Sequence, residues 1–238
     1  MKLCIFSDIH GNGVAFEKAL SMILGEEADV NIFLGDLCGY YFDEIAIFER
    51  LLGIPRLIAL KGNHDQMFYD VASGNDESLR EFYFKKYGPA LEHFLKADHQ
   101  ALLKWISRRE ELYLSKELDI ACYHGSPWDP RHGYVYPDSG FERFPELPYS
   151  NIFLGQTHYP MVRRLGEKMI VNPGSLGQPR QGGWPTFAVL DLPGKDVQFK
   201  EVEYDKNELL RQMDSFCDAD SYLRKILLRE SREQPISW

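Results

Sequence analysis

Five short clusters carry the side chains that can do chemistry: Asp8-Ile9-His10, Gly35-Asp36, Gly62-Asn63-His64-Asp65, His124-Gly125 and Thr157-His158. They mix carboxylate, imidazole and amide donors, the ligand types that hold divalent cations. Two such cations held about 4 Å apart need a carboxylate between them, and Asp36 is the natural bridge. Glycine beside the donors permits tight turns and close approach of a phosphate to backbone amides. Singly each cluster is weak. Jointly they point to a metal site, because every one follows an apolar run that reads as a strand.

Those runs are Leu3 to Phe6, Val30 to Leu34, Arg56 to Leu60, Leu118 to Tyr123, Asn151 to Leu154 and Met169 to Val171, all rich in Val, Ile, Leu and Phe. Helical patterns lie between the first three. Phe16, Leu20, Ile23 and Leu24 share one face before Gly25, and Ile45, Phe48, Leu51 and Leu52 share another before Gly53. Asn12 and Asp43 stand where caps belong. The alternation implies a parallel sheet with right-handed crossovers, which gathers functional loops at the carboxyl ends of its strands.

From Asp76 to about Arg109 the pattern is helical, with Leu79, Phe82, Tyr83, Leu91, Phe94, Leu102, Leu103 and Ile106 as core contacts and a break at Gly88-Pro89. Ser126 to Pro148 holds five of the thirteen prolines together with Trp128, Tyr134, Tyr136, Phe141 and Phe144. It is either a lid or rim over a site or a loop packed on the body. Thr186 to Asp191 and Val197 to Glu203 read as strands joined near Pro193-Gly194, and a helix follows from about Asn207. The stripe Leu209, Leu210, Met213, Phe216, Leu223, Ile226 and Leu227 packs on the core or on a second copy of the chain, giving a homo-oligomer. One domain over residues 1–238 is expected, with a helical insertion at about 76–110 and an aromatic loop at about 126–148.

The chain has 238 residues, 44% of them hydrophobic, and a formal charge of -9 from 27 basic and 36 acidic side chains. That balance argues against a general basic field for polyanions, so nucleic acid is a disfavoured partner. No apolar run approaches the roughly 18 residues that span a bilayer, and no leader pattern precedes Ser7, so a cytoplasmic location without membrane contact is expected. Cys4, Cys38, Cys122 and Cys217 form no CxxC pair; they read as reduced, buried thiols rather than ligands.

The order and spacing of the clusters resemble the calcineurin-like metallophosphoesterase superfamily, whose pattern is D-x-H, GD, GNHD or GNHE, an isolated His, and GHxH. The stretches Gly35 to Tyr40, His124 to Pro127 and Asn172 to Arg180 are similar to its small prokaryotic phosphodiesterase and phosphatase branch. The resemblance implies an α/β fold, a sandwich of two mixed β-sheets flanked by α-helices. It implies two divalent metal ions, manganese favoured and iron, zinc, nickel or magnesium as alternatives. Asp8, His10, Asp36 and His158 would hold one; Asp36, Asn63 and His124 would hold the other. His64 would be the catalytic histidine that is not a ligand. The implied reaction is hydrolysis of a phosphate ester on a small phosphorylated or nucleotide substrate, by a hydroxide held on the metal with His64 assisting the leaving oxygen. Asp65 either orients that imidazole or belongs to the turn.

One position departs from the pattern, because Gln156 stands where the family has the first His of GHxH. Either its amide oxygen is a weaker, harder ligand, leaving the second site loosely held, or it points away and one ion serves. The departure motivates a rival function, a metal- or phosphate-binding regulatory protein with weak or lost catalysis. Retention of Asp8, Asp36, Asn63, His64 and His124 argues against that rival, and the acidic balance against a nuclease. Arg131, Arg163, Arg164 and Arg180 lie in loops near the later motifs and pair with a phosphate or serve as surface charges, Arg180 being the first choice. His132 is a candidate substrate contact, and His93 and His99 read as surface histidines.

Overall fold

Alternation along the strands decides what each face of each sheet meets. In the computed structural model, which describes residues 1–74, 77–192, 194–216 and 222–229, Leu3 and Ile5 point one way and Cys4 and Phe6 the other, as the two-residue period of a strand requires. The strands are β1 Lys2–Phe6, β2 Val30–Phe33, β3 Leu57–Ala59, β4 Leu112–Ser115, β5 Ile120–Tyr123, β6 Asn151–Leu154, β7 Pro160–Leu165, β8 Lys168–Pro173, β9 Thr186–Asp191 and β10 Asp196–Glu201. The helices are α1 Gly13–Gly25, α2 Glu44–Leu51, α3 Asn63–Ser73, α4 Glu77–Tyr87, α5 Pro89–Lys96, α6 Gln100–Ile106, α7 Lys206–Ser215 and α8 Tyr222–Leu227.

Two five-stranded mixed sheets result, in the orders β10-β9-β1-β2-β3 and β4-β5-β6-β8-β7. β1, β2 and β3 run parallel, as the strand-helix alternation requires, and so do β5, β6 and β8. Between the sheets lie Leu3, Ile5, Ile32 and Leu34 from the first and Ile120, Cys122, Phe153, Met169 and Val171 from the second. Cys4, Phe6 and Phe33 face outward onto α1, α2, α3, α5 and α6. The outer face of the second sheet, carrying Ala121, Tyr123, Ile152, Leu154 and Ile170, is covered by Val135, Phe141, Phe144 and Tyr149 of the aromatic loop.

Several expectations change. α3 and the strands β4 and β7 are additions to the sequence reading, and β7 takes in Arg163 and Arg164, which had been placed in loops. Phe82 is 61% exposed and is not a core contact, whereas Leu91, Phe94, Leu102 and Ile106 are fully buried. Asn12 caps α1 by accepting from Ala15 N at 3.1 Å. Asp43 precedes α2 without a side-chain cap and instead accepts from Gln212 Nε2. The stripe on α7 and α8 packs inward, Leu209, Met213, Leu223 and Leu227 meeting Tyr41, Phe42 and Ala90. His93 is half-buried between Phe42 and Phe216. Cys217, Asp76 and Pro193 lie outside the described residues. Among those described, no helix is long and apolar enough to cross a membrane.

Candidate metal centre

Each chemical cluster leaves the carboxyl end of a strand: Asp8 and His10 after β1, Asp36 after β2, Asn63 and His64 after β3 on the first turn of α3, His124 after β5, and Gln156 and His158 after β6. Strands of both sheets therefore deliver donors to one end of the sandwich. The turns are tight enough to force left-handed backbone at Asp8 (φ 55°), His10 (51°), Asp36 (61°), Gln156 (67°) and His158 (61°). Such conformations cost roughly 1 kcal/mol or more apiece for residues with a Cβ and persist only where surroundings hold them. Here Ile9 N and His10 N both donate to Asp36 O, at 2.8 and 3.0 Å. Ser175 Oγ and Gly177 N both donate to Asp8 O, at 2.7 and 2.8 Å. Asn172 Nδ2 donates to Gly155 O and Thr157 Oγ1, so the Asn172 to Gln178 loop clamps the Asp8 turn and the His158 turn together.

Gly62 is needed for space rather than for its φ. A Cβ there would lie 1.9 Å from Asp36 Oδ1 and 2.6 Å from His124 Cε1. The Asp65 carboxylate accepts from Asp36 N, Cys38 N and Gly62 N, each at 2.9 Å. Its role is thus to fold the Asp36 turn onto the start of α3. Burial and the neighbouring Asp36 push its carboxyl up to about 6.

Three of the four buried histidines among the described residues share one arrangement. His10 Nδ1 lies 3.0 Å from Cys38 O, His124 Nδ1 2.8 Å from Leu34 O and His158 Nδ1 2.7 Å from Gln178 O. A carbonyl can only accept, so each Nδ1 carries a proton and each ring turns its Nε2 inward. His10 Nε2 and His158 Nε2 then face each other at 3.0 Å. Two lone pairs at that distance repel unless a proton or a cation lies between them. Asp8 Oδ1 sits 3.4 Å from His158 Nε2 and 3.7 Å from His10 Nε2 and has no hydrogen-bond partner.

Asp36 joins this group to a second one. Its Oδ2 is 3.8 Å from His10 Nε2 and 3.4 Å from His124 Nε2, and His124 Nε2 is 3.0 Å from Asn63 Oδ1. Three sets could each hold an ion, namely Asp8, His10 and His158; Asp8, Asp36 and His124; and His10, Asp36 and His64. Burial alone would lower the basicity of His124, but Asp36 and Asp8 more than reverse this and raise it to about 10. Burial instead dominates at His64, which falls to about 4, and at His10, which falls well below the ordinary value. Burial opposes ionisation of Asp36, and the surrounding imidazoles overcome it, keeping its carboxyl strongly depressed.

The centre opens on a cavity of about 400 Å³ whose lining includes Asp36, Asn63, His64, Gln156, His158 and Arg180. Gln156 N donates to Asp8 Oδ2 at 3.2 Å, while its Oε1 is buried and unpartnered. Arg180 Nη2 donates to Tyr40 Oη at 3.3 Å, and the Tyr40 ring packs on those of His10 and His64. Arg131 does not line the cavity; it pairs with Glu111. His132 is likewise absent from the lining, its main-chain N–H bound to Asp129. Arg163 and Arg164 hold the backbone carbonyls of Pro137 and Lys195. Cys4, Cys38 and Cys122 are buried free thiols whose burial pushes them far from ionisation, Cys4 up to about 12. Tyr40, Tyr159 and Arg229 also line the cavity and had no role in the sequence reading. The adjacency of Tyr159 to His158 was the available signal.

The family model of the calcineurin-like phosphoesterase superfamily domain matches residues 1–195. The chain belongs to that superfamily, and it is a phosphoesterase. An uncharacterised protein of Methanocaldococcus jannaschii is 29% identical over 226 residues, covering 85% of this chain and 88% of that one. The phosphodiesterase YfcE of Escherichia coli is 28% identical over 203 residues, covering 80% and 88%. A crystal structure of a metallophosphoesterase from Sphaerobacter thermophilus shares the fold at 24% identity and TM-score 0.77, over 95% of this chain and 98% of that one. A hypothetical protein of Pyrococcus horikoshii does so at 22% identity and TM-score 0.80, over 95% and 97%.

Proposed function

We propose that the protein hydrolyses a phosphate ester of a small phosphorylated compound, a diester or a monoester, at a dinuclear metal centre. The facing Nε2 atoms of His10 and His158, 3.0 Å apart with both Nδ1 protons committed to carbonyls, carry the proposal. Orphaned oxygens on Asp8 and Gln156 complete the fit, since buried acceptors without donors are what a cation satisfies. Asp8, His10, Asp36 and His158 would hold one ion; Asp36, Asn63, His124 and Gln156 would hold the other, with manganese the best match to a donor set rich in oxygen. A bound pair of such ions supplies charge neutralisation at the phosphoryl oxygens and activates water at neutral pH.

The remaining work falls to the chain. Asp36 fixes its own orientation by accepting from His64 N at 2.9 Å, which ties the bridging carboxylate to the start of α3. His64 is uncharged at neutral pH and offers a ring N–H to the leaving oxygen. The unpartnered amide oxygen of Gln156, a residue that lines the cavity, weakens the case for a non-catalytic binder, because it can stand in for the missing imidazole. His64→Ala is expected to lower kcat about a hundredfold while metal content, measured by elemental analysis, stays near that of the native protein. Loss of both metals in that variant would contradict the assigned role.

A further inference from the structure

The metal cavity does not end at the metal ligands. A second cavity of about 460 Å³ is lined by Tyr136, Pro137, Asp138 and Tyr159, and Tyr136 and Tyr159 line both spaces. Tyr159 follows His158 directly, so this shared wall begins one residue from the centre. The two rings stand edge to face at 6.1 Å, and Tyr134 stacks parallel to Tyr136 at 5.8 Å and 9°.

The wall is held rigid. Tyr136 N donates to Ser139 Oγ at 2.8 Å and Ser139 N returns to Tyr136 O at 3.0 Å, closing the turn that carries Pro137 and Asp138. Arg163 Nη2 pins Pro137 O at 2.7 Å while its guanidinium lies over Phe141. Val135, one residue before Tyr136, is buried against the second sheet. Yet Tyr134 and Tyr136 remain 56% and 39% exposed. Aromatic faces kept open on a fixed turn beside a phosphoryl site are suited to stacking a planar ring. Asp138 adds an acceptor for a ring N–H, and its charge disfavours a polyanion running through the same space.

We infer that the second cavity is a subsite for a planar aromatic group of the substrate, so that the phosphoryl group reacts at the metals while the ring stacks on Tyr136 and meets Tyr159 edge to face. This rests on the phosphoesterase reading and names the substrate class as phosphate esters of aromatic alcohols or of nucleosides.

Calorimetric binding to the manganese-loaded protein of three monophosphates, adenosine 5′-monophosphate, phenyl phosphate and ribose 5-phosphate, tests it without needing turnover. The adenine ring is expected to tighten binding over ribose 5-phosphate by roughly tenfold or more. Tyr136→Ala should bring the ratio close to one, and Tyr136→Phe, which keeps the ring, should preserve it. If Asp138→Asn weakens the adenosine compound alone, the ring is a nucleobase; if phenyl phosphate gains equally and ignores that change, it is an aryl group. Equal binding of all three, or a preference that survives Tyr136→Ala, would overturn the subsite. So would an oligodeoxynucleotide binding far more tightly than adenosine 5′-monophosphate. Hydrolysis of bis(p-nitrophenyl) phosphate and of p-nitrophenyl phosphate by the same sample reports on the phosphoesterase reading alone: if both are absent while the ring preference holds, that reading falls and the ring-binding site stands.

Discussion

Glu44 opens α2 fully buried, 1% exposed, with Oε1 unpartnered. Burial raises its carboxyl well above the ordinary carboxylate value. A raised acid binds its proton more tightly folded than unfolded. Its contribution is therefore complete below about 4.5 and is lost as pH rises toward the folded value, at up to roughly 1.4 kcal/mol per pH unit. Glu44→Gln keeps the shape without the charge. Its melting temperature is expected to gain on the native protein steadily from pH 4.5 to pH 8, and a gap that stays constant would refute the buried-acid assignment. Gln156→His tests the other unusual side chain, because imidazole suits a borderline metal better than an amide does. Higher occupancy of the second ion by elemental analysis is expected, whereas unchanged affinity would show that residue 156 is not a ligand. Residue identity was the most legible level of this sequence, since Asp8, His10, Asp36, Asn63, His64, His124 and His158 converge as their shared place after strands required. The carbonyls of Leu34, Cys38 and Gln178 that orient the rings were not legible, because any residue type supplies a carbonyl.

Among the elements, α1 and the Asn172 to Gln178 loop are joined through one side chain. Asn12 caps α1 with its oxygen and donates from Nδ2 to Gly177 O at 3.0 Å. Asn12→Ala removes the cap, worth about 1 kcal/mol, and strands a buried carbonyl at about the same cost. Thermal unfolding should fall by roughly 4–8 °C; no change would mean that the loop is held without it. The parallel opening was readable because its strands are bounded by amphipathic helices. β7 was not, because Arg163 and Arg164 interrupt its apolar pattern while bonding the Pro137 and Lys195 carbonyls. The long aromatic loop turned out to serve both alternatives held for it, with Phe141 and Phe144 covering the second sheet and Tyr134 and Tyr136 walling the cavity.

For the molecule as a whole, both sheets must be in register for the centre to exist, since Asp36 belongs to the first and His124 and His158 to the second. The carboxylates of the centre, Asp8 and Asp36, are matched by imidazoles and, on the present account, by cations. That account stands on metal-dependent phosphoester hydrolysis, and the most direct measurement is turnover of bis(p-nitrophenyl) phosphate by protein stripped with a chelator and then reloaded with manganese. Stripping should abolish turnover, manganese should restore it, and Asp36→Asn should not recover under either condition. Turnover that persists through chelation, or that survives Asp36→Asn, would contradict the account.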